Sequence, residues 1–207
     1  MRKIGILGLV GFLAVILAGC GGGGDDRNAV IQSPSDQSAD GDIGFTAPAT
    51  FVISQANVTN DVQYGIDAGG TEFQAFLDFP LDGFTGGGIL PLSAVIVAAD
   101  IDVFVNNVTL AASVPTLLEL VSFNPLGLAQ EDFNSVPLAT RAPFDILSSD
   151  IGNFVRIDVT SLMVEAQRLG VRNLQLRFLI ESLAATGLVV LDDGVTGREP
   201  LLTVEFR

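Results

Sequence analysis

The sequence predicts an all-β domain of sandwich type with one short helix, and three observations predict it. After Pro48 the chain breaks into short segments rich in Val, Ile, Leu and Phe, separated by Gly, Asp, Asn and Pro, as strands joined by turns do. One later stretch, 161–169, places helix formers at helical spacing instead. Cys20 is the single cysteine of 207 residues, so no intramolecular disulfide can form and burial alone must hold the fold.

The first segment is a leader. Arg2 and Lys3 precede an apolar run from Ile4 to Ile16, and Leu17-Ala18-Gly19-Cys20 follows directly, an order of charged head, apolar middle and small residues that marks a secreted chain. The four residues resemble the bacterial lipobox. That resemblance implies that residues 1–19 are removed, that Cys20 becomes the acylated first residue, and that the domain sits in the cell envelope as a lipoprotein held to a membrane by lipid. Gly21 follows the cysteine where an aspartate would mark the inner membrane in enteric-type sorting, so the outer membrane of a bacterium is the expected address. A second span is not expected: 89–99, the best later candidate, is short and is interrupted by Pro91 and Ser93.

Residues 20–48 read as the lipidated cysteine and a flexible tether, because Gly, Asp, Ser and Ala dominate and four glycines open it. Such a coil would hold the domain roughly 30 Å from the membrane on average. Residues 49–207 then form the domain. Its expected strands are 51–54, 72–79, 94–105, 116–123, 154–159, 173–181, 188–191 and 201–206. In Phe73-Gln74-Ala75-Phe76-Leu77-Asp78-Phe79, rings at 73 and 79 share parity while Phe76 falls on the other side, so this strand should be covered on both faces. Asn173-Leu174-Gln175-Leu176-Arg177-Phe178 alternates cleanly and should face solvent on one side. In the helix, Leu162, Ala166 and Leu169 form an apolar stripe that would plug one end of the sandwich, with Thr160 as N-cap beside Asp158 and Gly170 as the left-handed C-terminal residue. Met163 is expected to pack in the core.

Several of these pieces, in this order, resemble the DNRLRE domain, a module of bacterial surface proteins related to carbohydrate-binding modules. Tyr64-Gly65 precedes Ala75-Phe76-Leu77-Asp78-Phe79, similar to the family's Leu-x-Phe-Asp strand. Leu92-Ser93-Ala94-Val95-Ile96-Val97 resembles its Ser-Ala-x-Leu strand, Ile157-Asp158-Val159-Thr160-Ser161-Leu162 its Phe-Asp-Val-Thr lead into a helix, and Glu199 to Phe206 its closing strand. The likeness spans most of 50–207 and implies a jelly-roll-like antiparallel β-sandwich. This chain departs from the family pattern in having no tryptophan.

Composition narrows the chemistry. Twenty-four acids face ten bases, giving a formal charge of −14, and loss of Arg2 and Lys3 with the leader takes it to −16. A field of that sign repels nucleic acid. The chain has no histidine, and no lysine follows Lys3, so neither a Ser-His-Asp triad nor a lysine-assisted serine can be assembled. Zinc sites built on His and Cys are likewise excluded, leaving oxygen ligands for a hard cation such as Ca²⁺. Asp192, Asp193 and Glu199, in a polar loop between the last two strands, are the candidate Ca²⁺ ligands; the alternative is a turn that needs no ion. Asp100 and Asp102 share a strand face and read as a solvated edge.

Tyr64, the sole tyrosine, and Phe84, on the glycine-rich loop Asp82-Gly83-Phe84-Thr85-Gly86-Gly87, are the candidate ligand contacts, since sugar rings stack on exposed aromatic faces. Asn57-Val58-Thr59 and Asn107-Val108-Thr109 are assigned to turns or strand ends. The functional expectation is a non-enzymatic binding or structural module of the envelope, without a catalytic residue. Its partners would be the membrane through the lipid and a polysaccharide or an envelope protein. A polysaccharide-binding module is the alternative, and a glycan-active enzyme using carboxylates alone is the third reading.

Overall fold

Asp78 interrupts a strand whose other side chains from Ala75 to Phe79 are all apolar and buried, and it is itself fully buried. The architecture is arranged around that strand. The computed structural model describes residues 28–56, 60–182, 186–194 and 196–207; the leader, the lipobox and Asn57-Val58-Thr59 lie outside them.

Among the described residues thirteen strands and one α-helix are formed: β1 (Ala29–Pro34), β2 (Gly41–Thr46), β3 (Thr50–Gln55), β4 (Asp61–Ile66), β5 (Glu72–Pro80), β6 (Ile96–Thr109), β7 (Ser113–Leu120), β8 (Ala139–Thr140), β9 (Phe144–Leu147), β10 (Phe154–Asp158), α1 (Thr160–Leu169), β11 (Asn173–Ile180), β12 (Gly187–Asp192) and β13 (Leu201–Phe206). All pairings are antiparallel, and the fold is the all-β, sandwich-like one expected. The long strand β6 belongs to both layers. Its first half pairs with β13 and β10, and its second half with β12. The register shifts by one residue opposite Val190/Leu191, leaving Asn106 unpaired as a bulge, which lets a strand turn a corner between sheets. One layer is β1–β13–β6–β10; the other runs β12–β4–β5–β11–β7, and the main core fills the space between them.

The tether expected over 20–48 is corrected from residue 29 onward. β1 pairs with β13 along its whole length, and β2 lies between β3 and β5. Small residues are there for close approach, not for flexibility: a side chain at Gly41 would collide with the Ser54 carbonyl, and one at Gly44 with the Phe73 ring. The seven residues 21–27 are what separates Cys20 from the first described residue, Asn28, and such a link spans at most about 25 Å.

β11 is the second correction. Gln175 and Arg177, expected toward solvent, are 8% and 4% exposed, because residues 121–135 fold over that face as a third layer. Gln175 Nε2 donates to the Phe123 carbonyl while its Oε1 accepts the Phe123 N–H. The Arg177 guanidinium donates to Glu119 Oε2 and to the main-chain carbonyls of Asp132, Phe133 and Ser135. Beneath this cover a second cluster forms from Ile43, Phe76, Val121, Phe123, Leu128 and Phe133. β5 is thus covered on both faces, as its sequence predicts.

The helix stands where expected, with Leu162, Met163 and Ala166 buried in the main core and Gly170 left-handed at φ 68°. Its start differs slightly. Thr160 is the first helical residue, and the Asp158 carboxylate accepts the Thr160 N–H at 2.8 Å, while the Thr160 hydroxyl accepts the Ala99 N–H. Among the described residues no helix is long and apolar enough to cross a membrane.

Two measurements check this architecture. A chain of residues 28–207 unfolds in one cooperative transition by circular dichroism, whereas 49–207 loses it, because β13 and β5 are each stripped of a paired strand. Arg177→Met lowers stability in urea titration by about 3 to 5 kcal/mol, since Glu119 stays buried without its partner; adding Glu119→Leu restores part of the loss.

Candidate functional site

Where the chain leaves β12, carboxyls gather from three elements. Asp40, in the turn between β1 and β2, is 1% exposed, and its Oδ1 accepts the Asp78 N–H at 2.6 Å. Its other oxygen faces Asp193, also 1% exposed, with Ser35 against both carboxyls. Ser35 Oγ, Asp40 Oδ2 and Asp193 Oδ1 are buried without a donor or acceptor in proper hydrogen-bond geometry. Burial, then the charge of Asp193, pushes the Asp40 carboxyl well above its ordinary range; burial pushes Asp193 up to about 6. Nearby, Asp78 is raised by burial, against which Asn173 Nδ2 and Gln175 Nε2 donate to its carboxylate.

A second carboxyl, Asp42, lines a cleft of about 220 Å³ with Asp61, Gln63, Ser54 and Phe73. β2 and β4 both pair with β5 at Glu72 and Phe73. Burial pushes Asp42 up to about 7, while the Gln63 main-chain N–H donates to it and pulls the other way. This bond staples β2 to β4, and the side chain is 5% exposed, which sets Asp42 as a joint between strands and not as an acid offered to a substrate.

The predicted ligand set is dispersed. Asp192 accepts Asn106 Nδ2 at 3.2 Å and lies 3.9 Å from Arg198. Asp193 turns to Asp40 instead, and Glu199 accepts the N–H of Gly197 in its own loop. Asp192, Asp193 and Glu199 therefore do not form one Ca²⁺ cage, and among the described residues no three acidic, His or Cys side chains form one. Asp100 and Asp102 share a half-buried face of β6 but not an edge, since β10 and β13 pair with both residues from either side, and Asp102 is held in a bidentate pair by Arg156 at 2.9 and 2.7 Å. Asn107-Val108-Thr109 ends β6.

Tyr64 is corrected as a ligand contact. It is fully buried, 5.5 Å from the Phe178 ring, and its hydroxyl hydrogen-bonds the Thr116 hydroxyl at 2.9 Å. Phe84 is 75% exposed. Its loop is tied to β1 through Thr85 Oγ1, which donates to the Pro34 carbonyl, and the Gly88 N–H, which donates to Gln32. Beside it, a groove of about 240 Å³ runs between this loop and α1, lined by Leu81, Ile89, Leu90, Leu92, Met163 and Val171, with Asp82, Gln167 and Arg172 also on its wall. A further groove of about 310 Å³ carries Phe154 between Asp102, Arg156 and Glu199. Phe154 is half exposed and packs edge-on to Phe104, over which Arg198 lies at 4.3 Å.

Sequence reasoning missed Ser35, Asp40 and Asp42 as structural groups because their neighbours read as tether. One signal was present: Ile43 and Phe45 alternate with glycine immediately after them. Phe154 was hidden because its strand looked like core. No protein-family model and no curated protein matches the chain.

The raised carboxyls make stability depend on pH with a definite sign. Asp40, Asp42 and Asp193 bind a proton more tightly folded than unfolded, where an aspartate titrates near 3.9. For Asp42 and Asp193 that stabilisation is complete below about pH 4 and is lost as pH rises through about 6 to 7, and Asp40 contributes with the same sign. In metal-free buffer, lowering the pH from about 8 to about 5 raises the thermal midpoint, on the order of 1 kcal/mol per pH unit for each carboxyl. Asp42→Asn flattens the upper part of that curve.

Proposed function

We propose that the chain is a lipid-anchored envelope lipoprotein, held through Cys20, whose β-sandwich is a non-enzymatic binding module. The observation that carries the binding reading is the groove between α1 and the Phe84 loop. Ile89 and Leu92, on its wall, are 68% and 87% exposed, and exposed large apolar side chains lining a groove mark a contact surface. The occupant is an apolar segment flanked by basic residues: the groove is apolar, and the surrounding chain carries −14. The lack of any histidine, and of any lysine after Lys3, supports a role without a serine or lysine nucleophile.

A polysaccharide ligand is the second reading, favoured by the Phe154 groove, where a half-exposed ring is flanked by an ion pair and a carboxylate. The two are separated by experiment. Fluorescence titration with a peptide of alternating leucine and lysine is expected to saturate with the native chain and to weaken at least ten-fold in Leu92→Asp. If that titration is flat while neutral glycans retard the chain in affinity gels, and Phe154→Ala abolishes the retardation, the glycan reading replaces it. Palmitate labelling lost in Cys20→Ala, with release from the membrane fraction, checks the anchor.

A further inference from the structure

Four buried side-chain oxygens among the described residues have no hydrogen-bond partner, and three of them, Ser35 Oγ, Asp40 Oδ2 and Asp193 Oδ1, meet at one place. Isolated orphans are scattered by chance; three converging from two segments distant in sequence share a cause. We propose that Ser35, Asp40 and Asp193 hold a calcium-class divalent cation, which ties the turn between β1 and β2 to the chain leaving β12.

The chemistry of the donors selects the ion. All three are hard oxygens, two of them carboxylates, as Ca²⁺ prefers, with water and main-chain carbonyls completing its shell. Among the described residues no arginine is paired with Asp40 or Asp193. The one arginine paired near them, Arg198, is directed to Asp192, and Asp61 and Asp192 add further negative charge beside Asp193. Buried carboxylates are tolerated when paired, protonated or bound to metal. Asp40 cannot turn elsewhere, since its Oδ1 is fixed by the Asp78 N–H.

The rival occupant is a proton shared between the two carboxyls, which the same geometry favours as the pH falls. Raising the pH weakens the hold of that proton, and so favours a cation over it. The site differs from the loop set Asp192, Asp193 and Glu199, sharing only Asp193 with it. It does not depend on the proposed function.

The test uses the full chain in detergent micelles at about pH 7.5, its thermal midpoint read in chelator, in calcium chloride and in magnesium chloride. Calcium is expected to raise the midpoint by roughly 5 to 10 °C at one hundred times its dissociation constant, and calorimetric titration to count one ion at the saturating site. Asp193→Asn should lose the rise while melting no lower than the native chain in chelator, because an amide can donate to Asp40. Ser35→Ala should weaken the apparent affinity about ten-fold, and Glu199→Gln should keep the full response. No calcium-dependent rise in the native chain overturns the proposal, and so does a rise that survives Asp193→Asn.

Discussion

A carboxylate at the centre of a strand with no solvent on either side is the constraint around which this molecule is built. Asp78 needs acceptor sites filled and main-chain groups paired without help from water. Asn173 and Gln175 on β11 fill its carboxylate, its N–H goes to Asp40, and its carbonyl accepts the Asp36 N–H. Three elements distant in sequence are joined by one residue. The N-terminal segment is therefore part of the domain: without it, the edge of β5 and the Asp78 N–H would lack partners.

The third layer follows from the same need. Gln175 serves Asp78 with one hydrogen of its amide group and, with the rest of that amide, clamps Phe123. Two positions along, Arg177 balances Glu119 and gathers three carbonyls of the 130–135 turn. These polar side chains hold loop 121–135 over Phe76, and the loop in turn keeps water from them. Satisfied in full, such a network specifies one arrangement; removal of a single member leaves the others stranded in low dielectric.

The strands that bury one continuous apolar run, β5, β6, β11 and β13, were legible from composition and period, as were α1 and its Gly170. The burial of the outer face of β11 was not. The alternation in 173–178 shows which residues share a face, but a polar face covered by a polar-bonded loop has the same period as a wet one. β1 and β2 were illegible for another reason: glycine and serine serve both flexible coil and close-packed strands, and only the partner, Ser54 or Phe73, distinguishes the two. The same ambiguity scattered the acidic loop, since neighbouring carboxylates in sequence point to opposite sides of β12. Tyr64 shows the converse, an amphipathic ring whose hydroxyl found Thr116 inside the core.

Position relative to a membrane links these points. If Cys20 carries lipid as proposed, an eight-residue connection keeps Ala29 within about 30 Å of the bilayer, and β1, as an edge strand paired with β13, becomes the side of the domain nearest to it. Anionic headgroups repel a chain of charge −16, but at physiological salt that repulsion decays within about 8 Å. A short link of this kind is then long enough to place the domain outside the repulsive layer and too short to let it roam. The buried Asp40–Asp193 pair sits one turn after β1, so an ion held there would both lower the local charge and stiffen the segment through which the anchor acts on the fold.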